Sequence, residues 1–188
     1  LPDFVDRVSE QACPPIEPSP SNSREENANA MFKTFVANRT WQTPTLVDWR
    51  VWSLAPFDDA GYWSDSSLNL MPEDWRRSWH GDQNKFLTGK SPVERAALQS
   101  RAQAWYGSHL DMTRRMHAAG VSFLAGTDVA QWNMMVPGLS LHNELALLVQ
   151  AGLSPLEALQ AATSNAATYL HRTDIGSLTP GSRADILI

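Results

Sequence analysis

The stretch Val121-Ser122-Phe123-Leu124-Ala125-Gly126-Thr127-Asp128 most limits what this chain can fold into. Val121 to Leu124 have the length of a buried strand, and they follow a helical pattern that stops at Gly120. Two small residues, a hydroxyl and a carboxylate come next. Asp128 therefore stands where a strand ends, the place where parallel α/β folds put catalytic groups. A carboxylate there can bind a metal ion, or orient and deprotonate a water. A loop Asp that caps the next element is the alternative reading of the same residues.

Two helices announce themselves further along. Ser91-Pro92-Val93-Glu94 and Ser154-Pro155-Leu156-Glu157 each place a capping Ser, a Pro at the first position and a Glu three residues after the cap. The first predicts a helix from about Pro92 to Ala119. Its apolar face would be Leu98, Ala102, Trp105, His109, Met112 and Met116. His109 and His117 read as packing or surface residues. A helix carrying Leu141, Leu145 and Leu148 runs to Gly152, and a shorter one opens near Asn165 and ends at Leu170. Ser23 begins a helix whose apolar residues include Phe32 and Phe35, ending at Asn38-Arg39. Thr43 to Val47 reads as a strand with Pro44 near its start. Residues 48–91 hold five Trp among Asp, Ser, Pro and Gly, and read as an irregular lid-like connection with a helical turn between Met71 and Trp79. Those Trp either seal a core or meet a ligand. Ile175–Leu178 and Ala184–Ile188 would form a hairpin around Thr179-Pro180-Gly181-Ser182.

The run from Gly120 to Ile188 carries a resemblance. It includes Ala125-Gly126-Thr127-Asp128, Pro137-Gly138-Leu139-Ser140-Leu141-His142-Asn143-Glu144-Leu145, Ala161-Ala162-Thr163-Ser164-Asn165-Ala166-Ala167 and Gly176-Ser177-Leu178-Thr179-Pro180-Gly181-Ser182-Arg183-Ala184-Asp185. These residues resemble the C-terminal part of the amidohydrolase superfamily, in its imidazolonepropionase- and prolidase-like branch. The likeness continues more loosely through Trp41–Val47 and Met71–Trp75, and residues 1–22 match nothing. The resemblance implies an α/β fold. The expected architecture is a partial (β/α)8 TIM-like metallo-hydrolase barrel, its last two βα units, with the start of a small C-terminal β-sandwich domain. Thr43–Val47 would be barrel strand seven and Val121–Leu124 strand eight, parallel neighbours. Residues 1–22 would be a linker, 23–173 the barrel part with 48–91 as its insert, and 174–188 the start of the small domain. A complete barrel takes about 250 residues, against 188 here. The expectation is therefore a piece of a longer protein, needing the missing N-terminal half of the barrel.

The chemistry implied is metal-dependent hydrolysis of carbon–nitrogen, amide-like bonds in a small molecule. In the family the metal ligands are a His-x-His pair on the first strand, a bridging group on the fourth, His on the fifth and sixth, and Asp on the eighth. Only the last has a match, in Asp128; the five His form neither His-x-His nor His-x-x-x-His. By resemblance Asp128 ligates the metal, with zinc the family's commonest choice, and moves the water's proton to the leaving group. The piece alone is expected to bind no catalytic metal and to be inactive. His142 would contact substrate or orient the loop of Asp128; a helix-start His bonded to backbone is the alternative. Thr127 would hold Asp128 through its hydroxyl, and Gly126 would give a tight strand exit. Gln131 and Asn133 lie where substrate could pass. Asn165 either bonds the loop backbone or serves packing or capping. Glu144 and Glu157 read as helix-start carboxylates favoured by the dipole.

Composition limits the rivals. A hydrophobic content of 43% and eight Trp oppose disorder. The net charge of −5 gives no reason to expect nucleic acid or an anionic membrane as partner. Cys13, the lone cysteine, excludes an internal disulfide and a cysteine zinc site. No Gly-x-Ser-x-Gly elbow supports a serine hydrolase. A non-catalytic module that captures a small molecule on the Trp-rich segment is the remaining alternative.

Overall fold

The computed structural model describes residues 21–57, 65–130, 134–183 and 185. Expectations for residues 1–20, Trp63, Gln131, Asn133, Ala184 and Ile186–Ile188 lie outside the described residues. Among the described residues seven α-helices follow one another: α1 (Ser21–Ala37), α2 (Leu46–Leu54), α3 (Glu73–Leu87), α4 (Pro92–Ala118), α5 (Leu139–Gln150), α6 (Pro155–Ala162) and α7 (Ser164–Tyr169). Short 3-10 turns at Ala55–Phe57 and Ser66–Leu70 lie between α2 and α3.

Helices α4 and α6 start where local chemistry tells them to. Ser91 accepts a hydrogen bond from the Glu94 amide, and the Glu94 carboxylate accepts from the Ser91 amide at 2.7 Å. Ser154 and Glu157 repeat the device on α6. At the other end of α4, Gly120 takes φ 85. The Val121 amide then reaches back to the Met116 carbonyl at 3.1 Å and the Gly120 amide to His117 at 2.9 Å. These two bonds satisfy carbonyls that the helix end would leave open, in the left-handed conformation that glycine adopts without strain.

The parallel pairing expected between the two apolar segments is present, but displaced. Gln42 and Phe123 form a parallel bridge. The Gln42 amide donates to the Ser122 carbonyl and the Leu124 amide to the Gln42 carbonyl, both at 2.9 Å. Thr43–Val47 is not a strand. The chain turns through Thr45 in the left-handed region (φ 49, ψ 45) and enters α2 at Leu46. Burial overrides β propensity here. Leu46, Val47, Val51 and Ala55 are all buried, on one side of the helical path. Among the described residues no strand extends beyond this bridge.

The segment 48–91 also differs from the irregular connection expected. It holds most of α2, both 3-10 turns and α3. Asp65 starts the second turn by accepting from the Ser67 amide at 2.8 Å, and Glu73 and Asp74 occupy the first turn of α3, where carboxylates favour the helix dipole. Trp79 is 1% exposed and belongs to the core. Trp49 stacks on His109 with ring centroids 4.1 Å apart and meets Trp105 edge-on at 6.3 Å. His109 is thus a packing residue, and its Nδ1 lies 2.9 Å from the Trp105 carbonyl.

Helix α4 buries a face rotated from the one expected. Tyr106, Thr113 and Met116 are buried, while Trp105 and Met112 lean outward. The apolar stripe read from the sequence shares Met116 and His109 with the true face. Tyr106 and Thr113 fall beside it, and their polar groups disguise the stripe. Ile175–Leu178 forms bends rather than a strand. The Ser177, Thr179 and Ser182 hydroxyls bond one another at 2.9–3.0 Å, and the Arg183 amide donates to the Asp174 carbonyl at 2.8 Å. This local network closes the described part of the segment on itself.

One apolar cluster joins these elements, running from Phe32 through Trp79, Phe123 and Met135 to Leu148. Trp79→Ala should cost about 3–5 kcal/mol, as for other large buried aromatics. Trp52→Ala, at a site 44% exposed, should cost under about 1 kcal/mol. Urea denaturation of the two variants checks the contrast.

Candidate functional site

The site is built where the paired segments end. Beyond Phe123 the backbone is fixed from two sides. The Ala125 amide donates to the Ala161 carbonyl at 3.0 Å, and the Asn165 side-chain amide donates to the Phe123 carbonyl at 3.0 Å. Asn165 is therefore bonded to the segment carrying Asp128, the first of its two sequence readings. Gly126 is required by close approach. A Cβ built there would lie 2.6 Å from Thr43 Cγ2, so the two segment ends touch where a larger residue would part them.

Thr127 and Asp128 follow. The Thr127 hydroxyl accepts from the Val129 amide at 3.4 Å, which folds the backbone around Asp128. Asp128 is exposed and takes φ 53. A non-glycine residue in the left-handed region is uncommon and marks a position whose direction is imposed by its surroundings. His142 stands exposed in the first turn of α5, past the connection that begins at Asp128.

Glu144 is the residue that sequence reasoning misplaced. It is not a solvated helix-start carboxylate: its relative exposure is 0%. Its Oε2 accepts from the Val47 amide at 2.7 Å, across 97 residues of sequence. Burial pushes its pKa up to about 7, against bonds from the Val47 and Leu46 amides that pull it down and the nearby Asp48 charge that raises it. Among the described residues Oε1 has no hydrogen-bond partner, and neither does the buried Tyr106 hydroxyl. Burial raises the Tyr106 pKa as well, with Arg50 acting against it and Glu144 with it. The signal was in the spacing. Ser140, Glu144, Leu147 and Leu148 recur at helical intervals and share the buried face of α5.

Glu157 is a cap as expected, and also reaches His117 on α4, at 3.1 Å. The Ser154 hydroxyl and amide, then His117, hold its pKa down at about 2.

Among the described residues, no group of three or more His, Cys, Asp or Glu could hold a metal ion. Asp128 is one donor, not a site. No helix of the described residues is long and apolar enough to cross a membrane.

The arrangement is a carboxylate at the end of a parallel-paired segment, with helices packed behind it. Known proteins share its sequence. The model of the Amidohydrolase family matches residues 72–188, and the chain belongs to that family. An imidazolonepropionase of Salinispora arenicola is 40% identical over 102 residues, 54% of this chain and 26% of that protein. One from Deinococcus deserti is 45% identical over 75 residues, 39% of this chain and 18% of the relative. An adenine deaminase of Ligilactobacillus salivarius is 37% identical over 65 residues, 35% of this chain and 11% of the relative. The matches thus span about a quarter or less of these relatives' lengths. No solved structure matches the chain. These relatives put the chain in the imidazolonepropionase-like branch of a family of hydrolases. Family members have a TIM-barrel fold and generally use a divalent metal. The described residues of this chain do not by themselves fit that metal.

Two outcomes follow from the geometry. Gly126→Ala should destabilise by about 1–3 kcal/mol through overpacking, and Thr43→Ser, which removes the clashing methyl, should recover most of the loss in a double-mutant cycle. The second concerns pH. The Glu144 pKa is about 7 in the folded chain, against an ordinary 4.5. The native state therefore holds a proton that the unfolded chain releases, so stability falls as pH rises from about 4.5 and levels off above about 7. The loss is roughly 3 kcal/mol at most. Glu144→Gln has no proton to lose, and should flatten the dependence of the denaturation midpoint between pH 5 and 8.

Proposed function

We propose that this chain is the C-terminal part of a metal-dependent amidohydrolase acting on carbon–nitrogen, amide-like bonds of a small molecule. In this reading residues 23–173 belong to its barrel, 174–188 begin its small β domain, and 1–22 lead in. The N-terminal half of the barrel completes the site. Asp128 carries the reading: it is exposed, left-handed in backbone, and follows a segment paired in parallel with the one before it. It is the donor that this chain contributes to a divalent ion, zinc by preference, whose other ligands lie elsewhere in the longer protein. When bound, the ion would polarise the scissile carbonyl.

Asp128 also has proton work to do. Water adds to the carbonyl carbon, the carboxylate takes its proton, and the leaving nitrogen receives that proton as the carbon–nitrogen bond breaks. Thr127 holds the turn around Asp128, and Gly126 keeps the turn against the neighbouring segment. His142 meets the substrate at the mouth of the site and contributes to its selection. The substrate is a cyclic or linear amide of the kind that the imidazolonepropionase relatives suggest by name. Alone, the chain binds no catalytic metal and turns nothing over. Trp49 and Trp79 are committed to packing, which favours this reading over capture of a ligand on the Trp-rich segment.

In the longer protein, Asp128→Asn should lower kcat by about 10²–10⁴ and reduce metal retention, with a smaller change in KM. Asn keeps the size and one oxygen but cannot take the proton. His142→Asn should instead shift preference among substrates. Steady-state kinetics with metal analysis, on imidazolone compounds, N-acyl amino acids, dipeptides and lactones, tests both. Near-normal turnover by metal-loaded Asp128→Asn would remove Asp128 from the mechanism.

A further inference from the structure

The buried Glu144 has no part in the reaction described above, yet its contacts lead towards the site. Helix α2 begins at Leu46 behind Thr45, whose side chain makes no capping bond. The first amides of a helix need acceptors from outside it. Leu46 is 0% exposed and Val47 3%, so water does not provide them. The carboxylate of Glu144, on α5, provides one: Oε2 accepts from the Val47 amide at 2.7 Å, and the Leu46 amide beside it also favours the charged carboxylate. A side chain 97 positions away thus does the work that a local Ser or Asp usually does.

That bond fixes more than a helix end. The residues just before it, Thr43 to Thr45, connect the paired Gln42 to α2. Thr43 Cγ2 lies so close to Gly126 that a Cβ there would come within 2.6 Å. Gly126 is two residues before Asp128. On its other side Glu144 is carried by α5, the helix that follows the Asp128 connection. One carboxylate therefore ties the exit of the first paired segment to the element that follows the exit of the second.

The geometry points to Glu144 as a positioning residue, which braces the Thr43–Thr45 turn against the Gly126–Asp128 turn and so sets where the Asp128 carboxylate sits. The inference rests on the reading of Asp128 given above. Glu144 touches no substrate, being fully buried; it acts through the backbone of the two turns.

Glu144→Gln and Glu144→Ala in the longer protein test it, by hydrogen–deuterium exchange read by mass spectrometry and by steady-state kinetics. Gln keeps one acceptor oxygen and the shape, whereas Ala removes both acceptors. Exchange in residues 43–50 should rise roughly tenfold in the Ala variant and less in the Gln variant, as expected for loss of a buried cap. Residues 125–130 should loosen in the same order, while 155–169 stay unchanged. In the same order kcat should fall, with KM within about threefold. If the Ala variant does not fold, the Gln variant carries the same comparison. Loosening confined to 43–50, with 125–130 as in the parent, would make Glu144 a helix cap alone and overturn the inference. So would unchanged exchange in both segments. Should the parent protein hydrolyse no amide while both segments loosen as stated, the hydrolase reading fails and the brace stands.

Discussion

The arrangement around Asp128 depends on a hydrogen bond between two parts of the chain that are remote in sequence. The N-terminus of α2 is buried, and its amides cannot be left open: an unpartnered buried backbone group costs about 1–3 kcal/mol. Thr45 does not cap it, because its backbone is turned into the left-handed region to aim the helix into the core. The acceptor has to come from tertiary structure, and Glu144 supplies it from α5. Placing a carboxyl at 0% exposure is itself unfavourable, which is why its pKa rises to about 7. The helix dipole and the two amides offset part of that cost. Oε1 has no partner among the described residues, so a proton bound there would leave Oε2 as acceptor. The brace therefore survives protonation, while its contribution to stability changes with pH.

The turn carrying Asp128 is held by close packing and by bonds to its backbone groups. The absent Cβ of Gly126 lets Thr43 approach, and the Ala161 carbonyl and the Asn165 amide take the backbone groups that an adjoining strand would otherwise take. Helices α6 and α7 thereby supply partners to the backbone beside the parallel bridge of Gln42 and Phe123. A turn fixed in this way can hold a residue in a left-handed conformation whose direction serves something other than its own comfort.

What the sequence disclosed follows from the range of the interactions. Capping boxes at Ser91 and Ser154 involve four consecutive residues, and both were legible, as was the end of α4 at Gly120. Parallel pairing of the segments on either side of α4 was implied by the family resemblance and not by the apolar run alone. Its register was not legible, because Thr43 to Val47 have strand-like composition and only the burial of Leu46, Val47 and Val51 decides for helix. The buried face of α4 was hidden by Tyr106 and Thr113, whose polar atoms mask their place in the core. Glu144 was hidden for the opposite reason. A Glu early in a helix has an ordinary local explanation, and its actual partner lies 97 residues away. The candidate site shows the same division: the order of Gly126, Thr127 and Asp128 is a local feature of the sequence, whereas the contact of Gly126 with Thr43 joins segments remote from each other.

Glu157 and Glu144 show how environment separates two residues with the same sequence reading. Both were read as carboxylates at the start of a helix. Glu157 remains exposed beside the Ser154 hydroxyl and His117, all of which favour its charged form, and its pKa falls to about 2. Glu144 is surrounded by apolar residues and by Asp48, which disfavour its charged form, and its pKa rises. A carboxylate held in the first way stays charged at little cost, capping its own helix and reaching His117 on α4. One held in the second way is retained at a cost in stability, so its presence calls for a reason beyond the fold of α5. The open amides of α2 give that reason, and α2 in turn fixes the turn that Gly126 touches. Glu157 lies in the first turn of α6 and Glu144 beyond the first turn of α5; the pKa difference follows from whether the carboxylate faces water or another helix end.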